Sequence, residues 1–199
     1  VDDPYSHLTI HSIEKLKSSF DIILKPILVG EENLEAVHEP SLYNTYCLQD
    51  VKRIAPFYNI DFTADKSPAK DMIEIANSIL TSVNAEDFGE IAVQVSCALW
   101  SGDAAALDEL SSTYYATKAE VKENLKQGNK IRNSKGYYFG SAFYYEKELY
   151  WGVDRLPYLE KRLVELGVKH PQASDYVCAP ELKAPRQLKL DRKVNLYYY

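Results

Sequence analysis

GYYFGSAFYYEKELYWGVDRLPYLEKRLVEL, residues 136–166, decides the fold. It reads as strand, tight turn, strand, helix. Phe143–Glu146 and Leu149–Trp151 are rich in aromatics, which suit a pleated, half-buried surface. Lys147-Glu148 supplies a two-residue polar break for a hairpin, without the glycine or asparagine that favours such turns. Gly152 ends the second strand. Asp154 is then placed to cap a helix, in which Leu156, Leu159, Leu163 and Leu166 share one apolar face. Gly167 follows as a stop.

Around this stretch lies a chain of 199 residues, long enough for one domain with a sizeable core, or one domain with an insertion. A net charge of −6, with no basic patch interleaved with aromatics, argues against a nucleic-acid binder. No apolar run approaches the roughly 18–20 residues that a membrane span needs, and no signal peptide is visible. Cys47, Cys97 and Cys178 are far apart and fit no metal or redox spacing, so no metal is expected. Their sparse, odd number suits a reducing cytoplasm, with thiols that are inert and semi-buried.

Toward the N-terminus, Asp3 is a good N-cap and Pro4 a good first-turn residue. Leu8, Ile13, Leu16 and Phe20 suggest one helix running to about Ser19, with His7 partly exposed on it. DIILKPILVG, residues 21–30, reads as a strand buried on both faces. Pro26 within it points to an edge or a bulge. After a polar loop, residues 42–58 form a helix with Tyr43, Tyr46, Val51, Ile54 and Phe57 inward. Asp50 and Arg53 lie one turn apart, as an ion pair would.

Four short helices are expected between residues 63 and 135. Ser67-Pro68 starts the first, with Met72, Ile75, Ile79 and Val83 as its stripe. Phe88, Ile91, Val95 and Leu99 line the second. Asp103 caps the third, and Thr117 with Glu120 forms a capping box for the fourth. The tail, residues 168–199, carries proline-marked extended segments, a scatter of basic residues, and a strand-like end at Val194–Tyr199.

Three motifs carry a resemblance. Tyr150-Trp151-Gly152-Val153-Asp154-Arg155-Leu156 is similar to the F-W-G-x-D-R-L run of the DsbA-like thioredoxin superfamily. The likeness is to the 2-hydroxychromene-2-carboxylate isomerases and kappa-class glutathione transferases in particular. Asp3-Pro4-Tyr5-Ser6 occupies the slot of their S-P-Y-S loop, and Tyr46 to Ala55 reproduces a Tyr-x-x-x-Asp-x-x-Arg-x-Ala pattern. The resemblance implies an α/β, thioredoxin-like fold of DsbA type with an all-helical insertion. Residues 1–62 and 136–167 would form the two halves, and 63–135 the insertion. Residues 168–199 would be a linker and the start of a second copy, or a terminal strand filling a vacant place in its own or a neighbour's sheet.

The same resemblance implies glutathione as cofactor and a small-molecule substrate, without nucleic acid or membrane. It leaves a homodimer and a second tandem domain both open. Asp3 and Ser6 fall at the catalytic positions, and Ser141, Ala142, Asp154 and Arg155 at the glutathione-binding ones. Two positions depart from the family. Asp3 replaces the serine that hydrogen-bonds the glutathione sulfur, and Ser141 replaces a cis-proline. An ionised carboxylate cannot donate a hydrogen bond. It would also repel a thiolate 4 Å away by roughly 4 kcal/mol at an effective dielectric near 20. Asp3 is therefore an N-cap or a general base rather than a thiol activator. A non-proline cis bond costs about 2.5–4 kcal/mol, so Ser141 is expected trans. Three readings stand side by side: a glutathione-dependent isomerase or transferase, a catalytically silent thioredoxin-fold domain, and a peptide-binding or chaperone-like domain, which an apolar groove beside the helical insertion would support.

Overall fold

Helices dominate the computed structural model, which describes residues 1–30, 37, 39–137, 139–174 and 176–181. The elements run α1 (Pro4–Ile10), α2 (Ile13–Ser19), α3 (Pro40–Ile54), a 3-10 turn (Ala55–Tyr58) and α4 (Lys70–Ser82). Then follow α5 (Phe88–Ser101), α6 (Ala104–Thr113), α7 (Lys118–Ser134), β1 (Ala142–Tyr145) and β2 (Glu148–Trp151). A second 3-10 turn (Val153–Arg155) leads into α8 (Leu156–Glu165). The class is mixed and helix-rich, with one two-stranded antiparallel sheet among the described residues. No described helix is long and apolar enough to cross a membrane.

Local signals placed α5, α6 and α7, whereas the start expected at Ser67-Pro68 falls at Lys70, after Ala69 and without a side-chain cap. Asp103 Oδ1 accepts the Ala106 N–H at 3.0 Å and starts α6. Thr117 and Glu120 close a reciprocal capping box at α7. Ile91, Val95 and Leu99 are buried along α5. The hairpin is real but sits one residue earlier than its composition suggests. Tyr145 pairs with Glu148, so Glu146-Lys147 is the turn. Glu146 takes a φ of 52° there, a left-handed value unusual for a residue with a side chain.

Four expectations are corrected. The helix expected to run to Ser19 breaks at His11-Ser12. Helix α1 ends at Ile10 and α2 starts at Ile13, and Leu8 and Leu16 are buried on either side of the break. Residues 21–30 are extended but join no strand ladder among the described residues. The nearest approach to one is a single antiparallel bridge from Phe20 to Lys169. Ile23 is 87% exposed and Ile27 48%, so the run is not buried on both faces. Pro26, which has no N–H to give, sits at its middle. Val51 and Cys47 of α3 turn inward, whereas Tyr46 of α3 and Phe57 of the following 3-10 turn face solvent. Asp154 caps no helix: it lies within the 3-10 turn, and α8 begins after Arg155 without a side-chain cap. Residues 194–199, expected to form a strand, lie outside the described residues.

Two apolar cores result. One joins Leu8, Leu16, Val51, Tyr150, Leu156 and Leu163, from α1, α2, α3, β2 and α8. The other joins Ala76, Ile79, Val95, Leu99 and Leu107 of α4–α6 with Leu28 of the extended segment. Helix α5 serves both, since its Trp100 belongs to the first. Behind α8, the buried carboxylate of Glu160 accepts the Cys178 N–H with both oxygens at 3.3 Å and holds the chain after residue 176 in place. Burial raises the pKa of that carboxyl.

Candidate functional site

Asp3 is where the site begins. Its extended backbone turns into α1, and its side chain caps the helix. Oδ1 accepts the Tyr5 N–H at 3.0 Å. Oδ2 accepts both the Ser6 N–H at 3.0 Å and the Ser6 hydroxyl at 2.7 Å. Burial pushes the Asp3 carboxyl above its ordinary value. The bonds from Ser6 and Tyr5 only partly offset that.

The loop before β1 closes over this carboxylate. A Cβ on Gly140 would lie 3.0 Å from Asp3 Oδ2 and 3.2 Å from Ser6 Oγ, so the bare backbone is what permits the approach. Ser141 follows with a φ of 57°, and its peptide bond is trans, as expected from the absence of proline. Its Oγ lies 2.5 Å from Thr9 Oγ1. Because Thr9 donates to the Tyr5 carbonyl at 2.8 Å, Ser141 is the donor of that pair. The Ser141 carbonyl accepts the Gly152 N–H at 2.8 Å, which fixes the loop to the end of β2.

Asp3, Ser6 and Ser141 are thus brought into one cluster, although 132 residues separate Thr9 from Ser141. Ala142, at the start of β1, extends it. Ser6, Thr9, Ser141 and Ala142 open on a groove of about 520 Å³, whose apolar wall includes Ile10, Ile23, Ile27, Phe88 and Phe139. That volume lies within the range of small-molecule sites. At its rim Phe139 stacks on Trp151, ring centroids 5.4 Å apart.

Asp154 and Arg155 stand apart from the cluster, on the turn after β2. Asp154 is 70% exposed, with its carboxylate 3.5 Å from Arg155 Nε. Arg155 in turn lies over the Tyr158 ring at 5.9 Å.

Other members of the neighbourhood were not singled out from sequence. Thr9 lies one turn beyond Ser6 on α1, so the helical spacing was the available signal. Asp50 receives the Tyr5 hydroxyl at 2.8 Å, and Arg53 is exposed, so the anticipated pairing of Asp50 with Arg53 gives way to a contact between helices. His7 is buried at 2% exposure, not half-exposed. Its Nδ1 lies 2.8 Å from Ser96 Oγ, and its ring packs on Phe62. Desolvation, helped by the neighbouring His11, lowers its pKa to about 4, so the ring is neutral at neutral pH.

No protein-family model, no curated protein and no solved structure matches this chain.

Proposed function

We propose that the chain is a thioredoxin-like protein of DsbA type, akin to the glutathione-dependent isomerases and kappa-class transferases. In this reading its site binds a small molecule without activating a thiol. The observation that carries it is the triple contact of Asp3 with Tyr5 and Ser6. The helix start that would steady a sulfur anion is already engaged by the chain's own carboxyl group. The Ser6 hydroxyl, the one family-like donor of the loop, is committed to it as well. Such a domain acts as a scaffold, or as half of a tandem protein, in a reducing cytoplasm.

A second reading, an active glutathione-dependent isomerase or transferase, is favoured by a different observation. Ser6, Ser141 and Ala142 line one continuous apolar groove, as a glutathione site beside a hydrophobic substrate would require. There the reaction would be addition of glutathione to an activated double bond, rotation, then elimination.

Calorimetry with glutathione separates the two. The native chain is expected to give no heat at millimolar glutathione, and Asp3→Ser to gain binding. Binding by the native chain at millimolar concentration or tighter would overturn the silent reading in favour of the enzyme. Silence from both proteins would remove glutathione from consideration altogether.

A further inference from the structure

Where α1 crosses α5, three metal-competent side chains meet outside the site described above. His7 of α1 and His11, the residue that caps its end, are four residues apart, and their rings meet edge to face with centroids 5.0 Å apart. Cys97 comes from α5. One ring nitrogen of each histidine and the Cys97 sulfur all lie within 4.8 Å of one another.

The surroundings prepare these groups for a ligand. His11 Nε2 is buried and has no hydrogen-bond partner. A buried nitrogen left in that state is costly, and a ligand would satisfy it. His7 is held from behind by Ser96 Oγ at 2.8 Å on Nδ1. Its Nε2 has only a long contact, 3.4 Å, to the Asp61 carbonyl. A hydrogen bond on one ring nitrogen that orients the other is the usual support of a ligating histidine. Cys97 is exposed, so the cluster reaches solvent and an ion has an entry path.

We propose that His7, His11 and Cys97 form a binding site for a zinc-class divalent cation. Two imidazoles and one thiolate suit zinc better than the hard, oxygen-seeking cations. Bond lengths of about 2.0–2.1 Å to nitrogen and 2.3 Å to sulfur place tetrahedral ligand atoms roughly 3.3–3.7 Å apart. The ligand atoms, all within 4.8 Å of one another, therefore have to close by no more than about 1.5 Å. Three protein ligands leave the fourth position open on the solvent side. The Cys97 thiol gives up its proton to solvent on binding. The ion would tie α1, which belongs to the first core, to α5, which serves both.

Titration of the full chain with Co²⁺ tests the site directly. A thiolate-to-cobalt charge-transfer band and the intense visible bands of tetrahedral cobalt are expected, both bleached by Zn²⁺. Cys97→Ser is expected to abolish the charge-transfer band. His11→Ala is expected to weaken Co²⁺ binding at least about tenfold. Cys47→Ser, at a buried thiol elsewhere, leaves the spectrum unchanged. Circular dichroism confirms that each variant is folded; if His11→Ala is not, the exposed position in Cys97→Ser decides alone. No charge-transfer band in the native chain, or a band that survives Cys97→Ser, would overturn the proposal.

Discussion

Leu156→Ala is expected to cost about 2–5 kcal/mol of stability, the range for deleting a large aliphatic side chain from a core. Leu156 is 0% exposed and belongs to the core shared with Leu8, Leu16 and Val51. It is also the first residue of α8, directly after the 3-10 turn, so its side chain docks the helix where it enters the core. For a domain of this size the melting temperature should fall by roughly 2–4 °C for each kcal/mol lost. The control is Leu166→Ala. The apolar stripe treats the two leucines alike, but Leu166 lies 39% exposed beyond the end of α8. It should change stability by no more than about 0.5 kcal/mol. Urea midpoints of the two variants decide the matter, and equal shifts would mean that Leu156 is not the anchor described.

Gly128→Ala should destabilise the protein by about 1–3 kcal/mol, against the direction that helix propensity alone dictates. Inside an exposed helix the change gains about 1 kcal/mol, because glycine is the poorer helix former. Gly128 lies within α7 and is buried there. A Cβ at this position would stand 1.9 Å from the Leu28 carbonyl oxygen and 2.9 Å from its carbon. These are backbone atoms, so no rotamer change relieves the clash. Segment 21–30 has to retreat from α7, taking Leu28 out of the second core and widening the groove. Thermal melting with limited chymotryptic cleavage after Leu28, which is buried in the parent, reads both effects. A variant more stable than the parent, with Leu28 equally protected, would refute the close approach.

How much of this could be read in advance depended on how local each signal was. The capping box at Thr117, the cap at Asp103 and the stripe Ile91-Val95-Leu99 are contained within a few residues, and each sits where its chemistry put it. The hairpin shifted by a single residue because Glu146, not glycine or asparagine, carries the left-handed conformation. Segment 21–30 misled for the opposite reason. An apolar run looks the same whether or not a partner strand lies beside it, and pairing is settled by residues far away. His7 was misjudged likewise, since its burial depends on Ser96 and Phe62, which no spacing within α1 reveals. Resemblance, not pattern, grouped Asp3, Ser6, Ser141, Ala142, Asp154 and Arg155; Asp154 and Arg155 stand apart from the others. The break at His11-Ser12 has no such local mark, because Leu8 and Leu16, eight residues apart, would share one face of an unbroken helix too.

The division of the interior into two cores has a consequence for the order of assembly. Ile79 and Leu107, in the helical core, are 28 residues apart (107 − 79), whereas Leu8 and Leu163 of the other core are 155 apart (163 − 8). Closing the longer loop costs about 1.5 kcal/mol more chain entropy. Contacts near in sequence also form fastest. Helices α4–α6 therefore condense first during refolding, and the core around Leu8 and Leu163 waits until α1 and α8 come together. In pulse-labelled hydrogen exchange, amides near Leu99 should gain protection ahead of those near Leu163, and the reverse order would contradict this sequence of events. Trp100, at the end of α5 and inside the late core, is the side chain through which the early unit receives the rest of the molecule.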